Sequence, residues 1–235
     1  MDKPIIGIIG GMGSYATADF FKRLLDALPA KKEWDRPRII IDNRCDMPSR
    51  VRAILYDENR DELVAEITKS MRMLIENGAS HVILACNTSH VFLDEVYTKI
   101  PEAKPKVIHI IDELGKQIKS DGHHEVFLLA SEGTIETKIY SNYFGKYGIE
   151  ILYPEEKDFS ILRDFIEAVK QNEVDRQIAD NFVEYINSAY DCPIILGCTE
   201  LPAIYAKCKD KISKKIYDPL DAAINKIKED LKNEQ

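Results

Sequence analysis

His81-Val-Ile-Leu-Ala-Cys86-Asn-Thr88 and Pro193-Ile-Ile-Leu-Gly-Cys198-Thr199-Glu200 are the two stretches that decide how this chain reads. Each is a short apolar run of strand type that ends on a cysteine and then turns polar, one in each half of the 235 residues. Roughly seventy residues before each cysteine lies another apolar run that breaks into small residues. These are Ile5-Ile-Gly-Ile-Ile-Gly-Gly11-Met-Gly13 and Val126-Phe-Leu-Leu-Ala-Ser131-Glu-Gly133-Thr134. A chain written twice at one spacing implies two halves related by a pseudo-twofold, with a cleft framed by their facing strand ends.

Further Ile- and Val-rich runs fall at 38–42, 106–110, 149–152 and 215–217, so strands are expected over 4–10, 38–42, 81–86, 106–110, 125–130, 149–152, 193–197 and 215–217. Helical patterns lie between them. Phe20, Phe21, Leu24, Leu25 and Leu28 form one apolar stripe; Leu63, Ile67, Met71, Leu74 and Ile75 form another that stops at Gly78. The alternation gives the fold class: α/β, built as two pseudo-symmetric parallel-sheet α/β domains with the active site in the cleft between them. The first domain is expected over 1–103 plus 213–235 and carries Cys86; the second, over 104–212, carries Cys198. Pro101-Glu-Ala-Lys-Pro105 marks the first crossover, and Pro219 after Asp218 opens a last helix that packs back on the first half.

Composition narrows the function classes. With 45% hydrophobic residues the chain has material for an ordinary core. A net charge of −8, with the two signs interspersed, argues against nucleic-acid or anionic-membrane partners. It leaves a small anionic substrate open, since single basic side chains can hold a carboxylate. Five cysteines in no disulfide-like spacing imply free thiols and a reducing, cytoplasmic location. The glycines at 7, 10, 11 and 13 break the N-terminal apolar run, against its reading as a secretory leader, and no stretch is long enough for a membrane span.

Ligands of parallel α/β folds gather at the carboxyl ends of the strands, where both cysteines fall. A lone cysteine there is more often packing. A matched pair, each followed by residues able to open a helix, points to chemistry, because unpaired N–H groups at a helix start favour a thiolate. Other readings stay open at this level. Gly11-Met-Gly13-Ser-Tyr-Ala16 fits a dinucleotide turn, with Asp42 as a ribose-binding acid, but equally a carboxylate cradle. Cys86 and His90 are spaced for imidazole assistance to the thiol or for two metal ligands, yet no second Cys/His cluster completes a metal site.

Taken together, these segments resemble the aspartate/glutamate racemase family, cofactor-independent racemases of acidic amino acids. Gly10-Gly11-Met12-Gly13 with Ala16-Thr17 resembles its N-terminal signature, Ala85-Cys86-Asn87-Thr88 with His90 its first catalytic segment, and Gly197-Cys198-Thr199-Glu200-Leu201 its second. Ser14 and Ser89 depart from the usual proline and small apolar residue without removing a catalytic atom. The resemblance implies Cys86 and Cys198 as opposed acid/base thiols, one removing and the other returning the α-proton. It implies a substrate-binding set of Met12, Arg50, Asn87, Thr88, Thr134, Lys170, Thr199 and Glu200, with His90 as an assisting residue. Met47-Pro48-Ser49-Arg50 and Ile166-Glu-Ala-Val-Lys170 would serve the side-chain carboxylate, and Gly133-Thr134 the α-carboxylate. No metal and no cofactor is implied; the partner is a small acidic amino acid, with a homodimer as the family's common assembly. The competing readings are a maleate-type cis-trans isomerase in which one cysteine adds covalently, a silent dicarboxylate-binding protein, and a nucleotide-dependent oxidoreductase.

Overall fold

A computed structural model describes residues 3–233, so the ends of the expected spans 1–103 and 213–235 lie outside the described residues. The first half runs β1 (Ile5–Gly10), α1 (Ser14–Ala27), β2 (Arg38–Asn43), α2 (Arg50–Leu55), α3 (Arg60–Glu76), β3 (Ala79–Leu84) and α4 (Leu93–Lys99). The second runs α5 (Ile110–Ser120), β4 (Glu125–Leu129), α6 (Glu132–Glu136), α7 (Ile139–Phe144), β5 (Glu150–Leu152), α8 (Phe159–Lys170), α9 (Arg176–Ser188), β6 (Ile194–Leu196) and α10 (Leu201–Cys208). The chain closes with β7 (Ile216–Tyr217) and α11 (Pro219–Asn233). Among the described residues no helix is long and apolar enough to cross a membrane.

Two all-parallel sheets result, in strand order β2-β1-β3 and β5-β4-β6-β7. The duplication read from the sequence is therefore structural: β1 sits between β2 and β3 as β4 sits between β5 and β6. Each cysteine lies two residues beyond the last residue of the third strand of its half, Cys86 after Leu84 and Cys198 after Leu196. The ladders continue to those points, since the Ala85 N–H donates to the Ile9 carbonyl at 2.9 Å and the Gly197 N–H to the Leu129 carbonyl at 2.6 Å.

Strand alternation divides the side chains between three cores. Ile6 and Ile8 of β1, Ile83 and Ala85, Val126 and Leu128 of β4, and Ile195 of β6 all belong to one cluster that runs through both halves. Ile9, Val82 and Leu84 instead face an outer core with α3, and Phe127, Leu129, Ile194 and Leu196 face another with α8 and α9. Both cysteines follow the outward parity of their strands and end the outer cores. The halves are thus joined by a common apolar face, while the strand ends stay free of it.

The expected strand over 106–110 is corrected. Pro101–Lys106 forms a tight 3-10 turn with Pro105 inside it, and α5 begins at Ile110, so a single bridge between Val82 and Val107 is all that survives of the pairing. Proline withholds a ladder donor, and the run is spent before a strand can form. At the other end, β7 pairs with β6 in the second sheet, whereas α11 lies on α5 and α1. The span 213–235, expected wholly in the first half, therefore divides between strand and helix. Asp218 does cap α11: its side chain accepts the Leu220 N–H at 2.9 Å and Arg23 of α1 at 2.6 Å.

Two histidines meet behind the cleft, His90 buried and His109 half-buried. His90 and His109 meet edge to face at 4.7 Å between ring centroids, and His109 stacks on Tyr143 at 4.1 Å. His109 Nδ1 accepts the Asp112 N–H at 3.3 Å and so caps α5 in its neutral form. Burial lowers the pKa of His90 to about 4, and burial, followed by the neighbouring His90 ring, lowers that of His109 to about 2. Each ring is neutral when folded and takes a proton on unfolding once the pH is below the unfolded value near 6.5. The stability they supply is complete above about pH 6.5 and is lost as the pH falls toward those lower values. Urea unfolding of wild type and His109→Phe at pH 7 and pH 5 checks this: the variant is expected to lose about 2 kcal/mol less over that interval. Equal losses would show that His109 is not held neutral.

Candidate active site

Backbone geometry brings the first half's glycine turn against the second half. Gly11 adopts φ +84°, and a Cβ there would strike the backbone of Arg44 and Cys45 at 2.4–2.5 Å. Gly13 carries no such strain; what it offers is closeness. A Cβ at Gly13 would meet Glu200 Oε1 at 2.7 Å, so the turn read as a dinucleotide motif is instead packed under a carboxylate from the opposite half. That carboxylate lies where a pyrophosphate would have to approach the turn, and its charge would repel one.

A pocket of about 80 Å³ sits between the strand ends. Of the residues proposed from sequence, Met12, Arg50, Cys86, Asn87, Thr88, Lys170, Cys198, Thr199 and Glu200 all line it. Two do not. Thr134 is buried behind Thr88, their hydroxyls 2.9 Å apart, and Ser131 lines the pocket in its place while bonding both threonines at 3.1–3.3 Å. His90 turns Nδ1 to the carbonyl oxygen of Cys86 at 2.9 Å, away from the thiol; its role is to hold the backbone of the cysteine loop. Among the described residues no group of three His, Cys, Asp or Glu side chains is arranged for a metal.

The two thiols differ in surroundings. Cys198 Sγ donates to Glu200 Oε2 at 2.9 Å, and Thr199 Oγ1 donates to the same oxygen at 3.4 Å. Burial first, and the Glu200 carboxylate second, push the Cys198 thiol well above the usual cysteine range. The expectation of a thiolate favoured at both strand ends is therefore corrected for Cys198, whose surroundings favour the thiol although a helix starts at Leu201.

Three further polar groups shape the pocket. Asn87 Oδ1 accepts from the buried Tyr140 hydroxyl at 2.6 Å, which fixes the amide and leaves Nδ2 buried without a partner among the described residues. Glu200 Oε1 is likewise buried and unpartnered. A buried donor and a buried acceptor without partners each carry a desolvation cost of about 1–3 kcal/mol. Arg50 donates to the backbone carbonyls of Pro48 and Met12 at 3.1 and 3.2 Å, which places its guanidinium and still leaves donors of the fork unused. Burial works against the Lys170 ammonium, but its 2.8 Å bond to Glu167 and the charge of Glu200 outweigh that and raise its pKa.

Tyr140 and Ser131 are the functional residues that sequence reading passed over. Tyr140 sits fifty-three positions from the amide it orients, with no local motif to mark it. Ser131 lay inside one of the quoted runs, and its position at the carboxyl end of β4 was a usable signal. The charged loop 43–46 turns away from the pocket: Arg44 is paired with Asp46 at 2.9 Å and with Glu66.

The family model described as Asp/Glu/Hydantoin racemase matches residues 9–227. The chain is 27% identical over 216 residues to a broad specificity amino-acid racemase of Bacillus subtilis (strain 168), covering 88% of this chain and 90% of that one. It is 25% identical over 185 residues to glutamate racemase of Clostridium perfringens (strain 13 / Type A), covering 74% and 66% respectively. Picrophilus torridus aspartate racemase superposes with a TM-score of 0.82 at 27% identity, covering 97% of this chain and 94% of that chain. An aspartate racemase homologue from Pyrococcus horikoshii OT3 superposes with a TM-score of 0.73 at 23% identity over 99% and 100%, a likeness of fold.

The Glu200 contact is open to direct measurement. Alkylation of Cys198 by iodoacetamide, followed across pH by peptide mass spectrometry, is expected to show a midpoint well above that of an exposed cysteine. In Glu200→Gln the midpoint should fall, with burial keeping the remainder of the shift. An unmoved midpoint would remove Glu200 as the partner of the thiol.

Proposed function

The chain belongs to the Asp/Glu/Hydantoin racemase family, and on that footing we propose that it racemises an acidic amino acid without a cofactor, using Cys86 and Cys198 as opposed acid and base. The observation that carries the proposal is the pocket shared by the halves: Cys86 and Cys198, one from each, line it together with Arg50, Asn87, Thr88 and Glu200. A zwitterionic amino acid suits that lining. Its α-carboxylate accepts from Asn87, with the Thr88 hydroxyl nearby, and its ammonium donates to Glu200. The side-chain carboxylate falls to the free donors of Arg50, supported by Lys170.

Seated this way, the α-carbon lies between two thiols contributed by opposite halves, as an inversion through a planar carbanion requires. One cysteine, as thiolate, takes the α-proton from one face; the other, as thiol, gives a proton to the opposite face; the reverse reaction exchanges their parts. Cys198, resting as a thiol against Glu200, is the donor of the first turnover. Donors around the α-carboxylate stabilise the enolate-like charge that develops on it. Substrate binding also prepares the return stroke. An ammonium on Glu200 neutralises the carboxylate whose repulsion opposes a Cys198 thiolate, so the base form becomes accessible when substrate is present. Five free thiols, two of them catalytic, suit a reducing cytoplasmic setting.

Proton NMR of L- and D-aspartate and L- and D-glutamate with the pure protein in D2O, joined to a chiral assay of the recovered amino acid, tests the reading. Loss of the α-proton signal with appearance of the opposite enantiomer is expected for at least one pair. Absence of exchange for all four would defeat the proposal. Cys86→Ala and Cys198→Ala should each lower racemisation of both enantiomers by about 10²–10⁴-fold, and full activity in either variant would refute the two-base scheme. Arg50→Ala should raise KM for the acidic substrate by about ten- to a hundredfold, with kcat changing less. Unaltered kinetics there would return Arg50 to a structural role.

A further inference from the structure

A second cavity, of about 230 Å³, adjoins the 80 Å³ pocket. The two share Ser49, Val51, Ser131, Ile166 and Lys170 as common walls. Beyond those walls the outer cavity is bounded by Ala130, Phe159 and Leu162, with two ion pairs among its lining: Glu132 with Arg163, and Glu167 with Lys170 at 2.8 Å. Resting on the racemase reading above, we infer that this outer cavity is a side-chain subsite of the same active site, which admits α-amino acids with long, neutral side chains such as methionine.

The chemistry of the walls selects that class. The four charged side chains of the outer cavity pair off internally, so it presents no unspent cation to a carboxylate. The residues between them are aliphatic and aromatic, and an apolar chain entering there displaces water from apolar surface. Arg50, the cation with free donors, lines the inner pocket alone. A short acidic side chain therefore stops at Arg50. A longer neutral one passes Val51 and Ile166 and leaves both ion pairs intact. Lys170 borders both spaces and is the point at which the two substrate classes part: an acidic substrate competes with Glu167 for its ammonium, and a neutral substrate does not. The cavity lies between α2 of the first half and α8 of the second, and the walls it shares with the inner pocket place it next to the space that holds the thiols.

The test is α-proton exchange in D2O with methionine, norleucine and phenylalanine beside aspartate and glutamate, for wild type, Leu162→Phe and Leu162→Ala. Leu162 lines the outer cavity and not the inner pocket. Wild type is expected to exchange methionine as well as the acidic substrate. Filling the cavity with Leu162→Phe should lower the methionine-to-aspartate ratio of kcat/KM by about tenfold or more, and enlarging it with Leu162→Ala should raise the phenylalanine-to-aspartate ratio by about tenfold, the scale on which apolar pockets discriminate. The second variant decides the matter if the first does not fold, as judged by circular dichroism. Exchange of an acidic substrate with none of methionine or norleucine would overturn the subsite. So would an equal loss for all substrates in Leu162→Phe, which would make the cavity an entry route, or an unmoved ratio in Leu162→Ala. Failure of every substrate, aspartate and glutamate included, is a different pattern: it would remove the racemase reading and this subsite with it.

Discussion

The apolar face shared by the two sheets is the constraint on which the rest of the structure depends. Ile6, Ile8, Ile83, Val126, Leu128 and Ile195 are all fully buried in one cluster that belongs to neither half alone. Burial of side chains of this size is worth about 1.5–3 kcal/mol each, so the two sheets are held to one another by the same force that holds each together. Parallel strands deliver their carboxyl ends to one edge of a sheet, and packing the two sheets with their helices around this common cluster brings both sets of ends to one pocket. The side chains of opposite parity form the two outer cores, and the cysteines inherit that parity. The site is a product of strand alternation carried two residues past the ladder.

Within the cleft, the halves are tied by polar contacts that also do chemistry. Thr88 of one half bonds Thr134 and Ser131 of the other, Tyr140 reaches across to Asn87, and Glu200 lies over Gly13. The symmetry of the backbone is broken by this last contact. Cys198 has a carboxylate two residues away that holds its proton, and burial strengthens the effect because a low-dielectric setting disfavours the thiolate. A pseudo-symmetric scaffold thus supplies two thiols on opposite walls, and one side chain sets the rest state of one of them. The cost is a pair of polar atoms unmet among the described residues, Asn87 Nδ2 and Glu200 Oε1.

Much of this was legible beforehand. Apolar runs rich in Ile and Val and glycine-broken turns marked seven of the eight expected strands, and the repeated spacing from small-residue turn to cysteine marked the duplication. The run at 106–110 misled because its apolar content is real but is consumed by a proline-bearing turn on one side and a helix start on the other. The site residues next to the cysteines were readable because they follow a strand end directly. Thr134 and His90 were placed in the right neighbourhood and given the wrong contact: one backs Thr88, and the other bonds a carbonyl.

The sequence by itself determined the periodicities, the turns and the order of elements, and with them two parallel sheets and a thiol at the mouth of each. These are local properties, set by residues a few positions apart. Tertiary structure alone decided that Tyr140 fixes Asn87, that Glu200 crosses to Gly13, and that β7 joins the second sheet while α11 lies on α5 and α1. Each of those depends on where distant side chains meet once the shared apolar face has closed. Hydrogen bonding and charge act over a few ångströms of space, and no spacing along the chain encodes such distances.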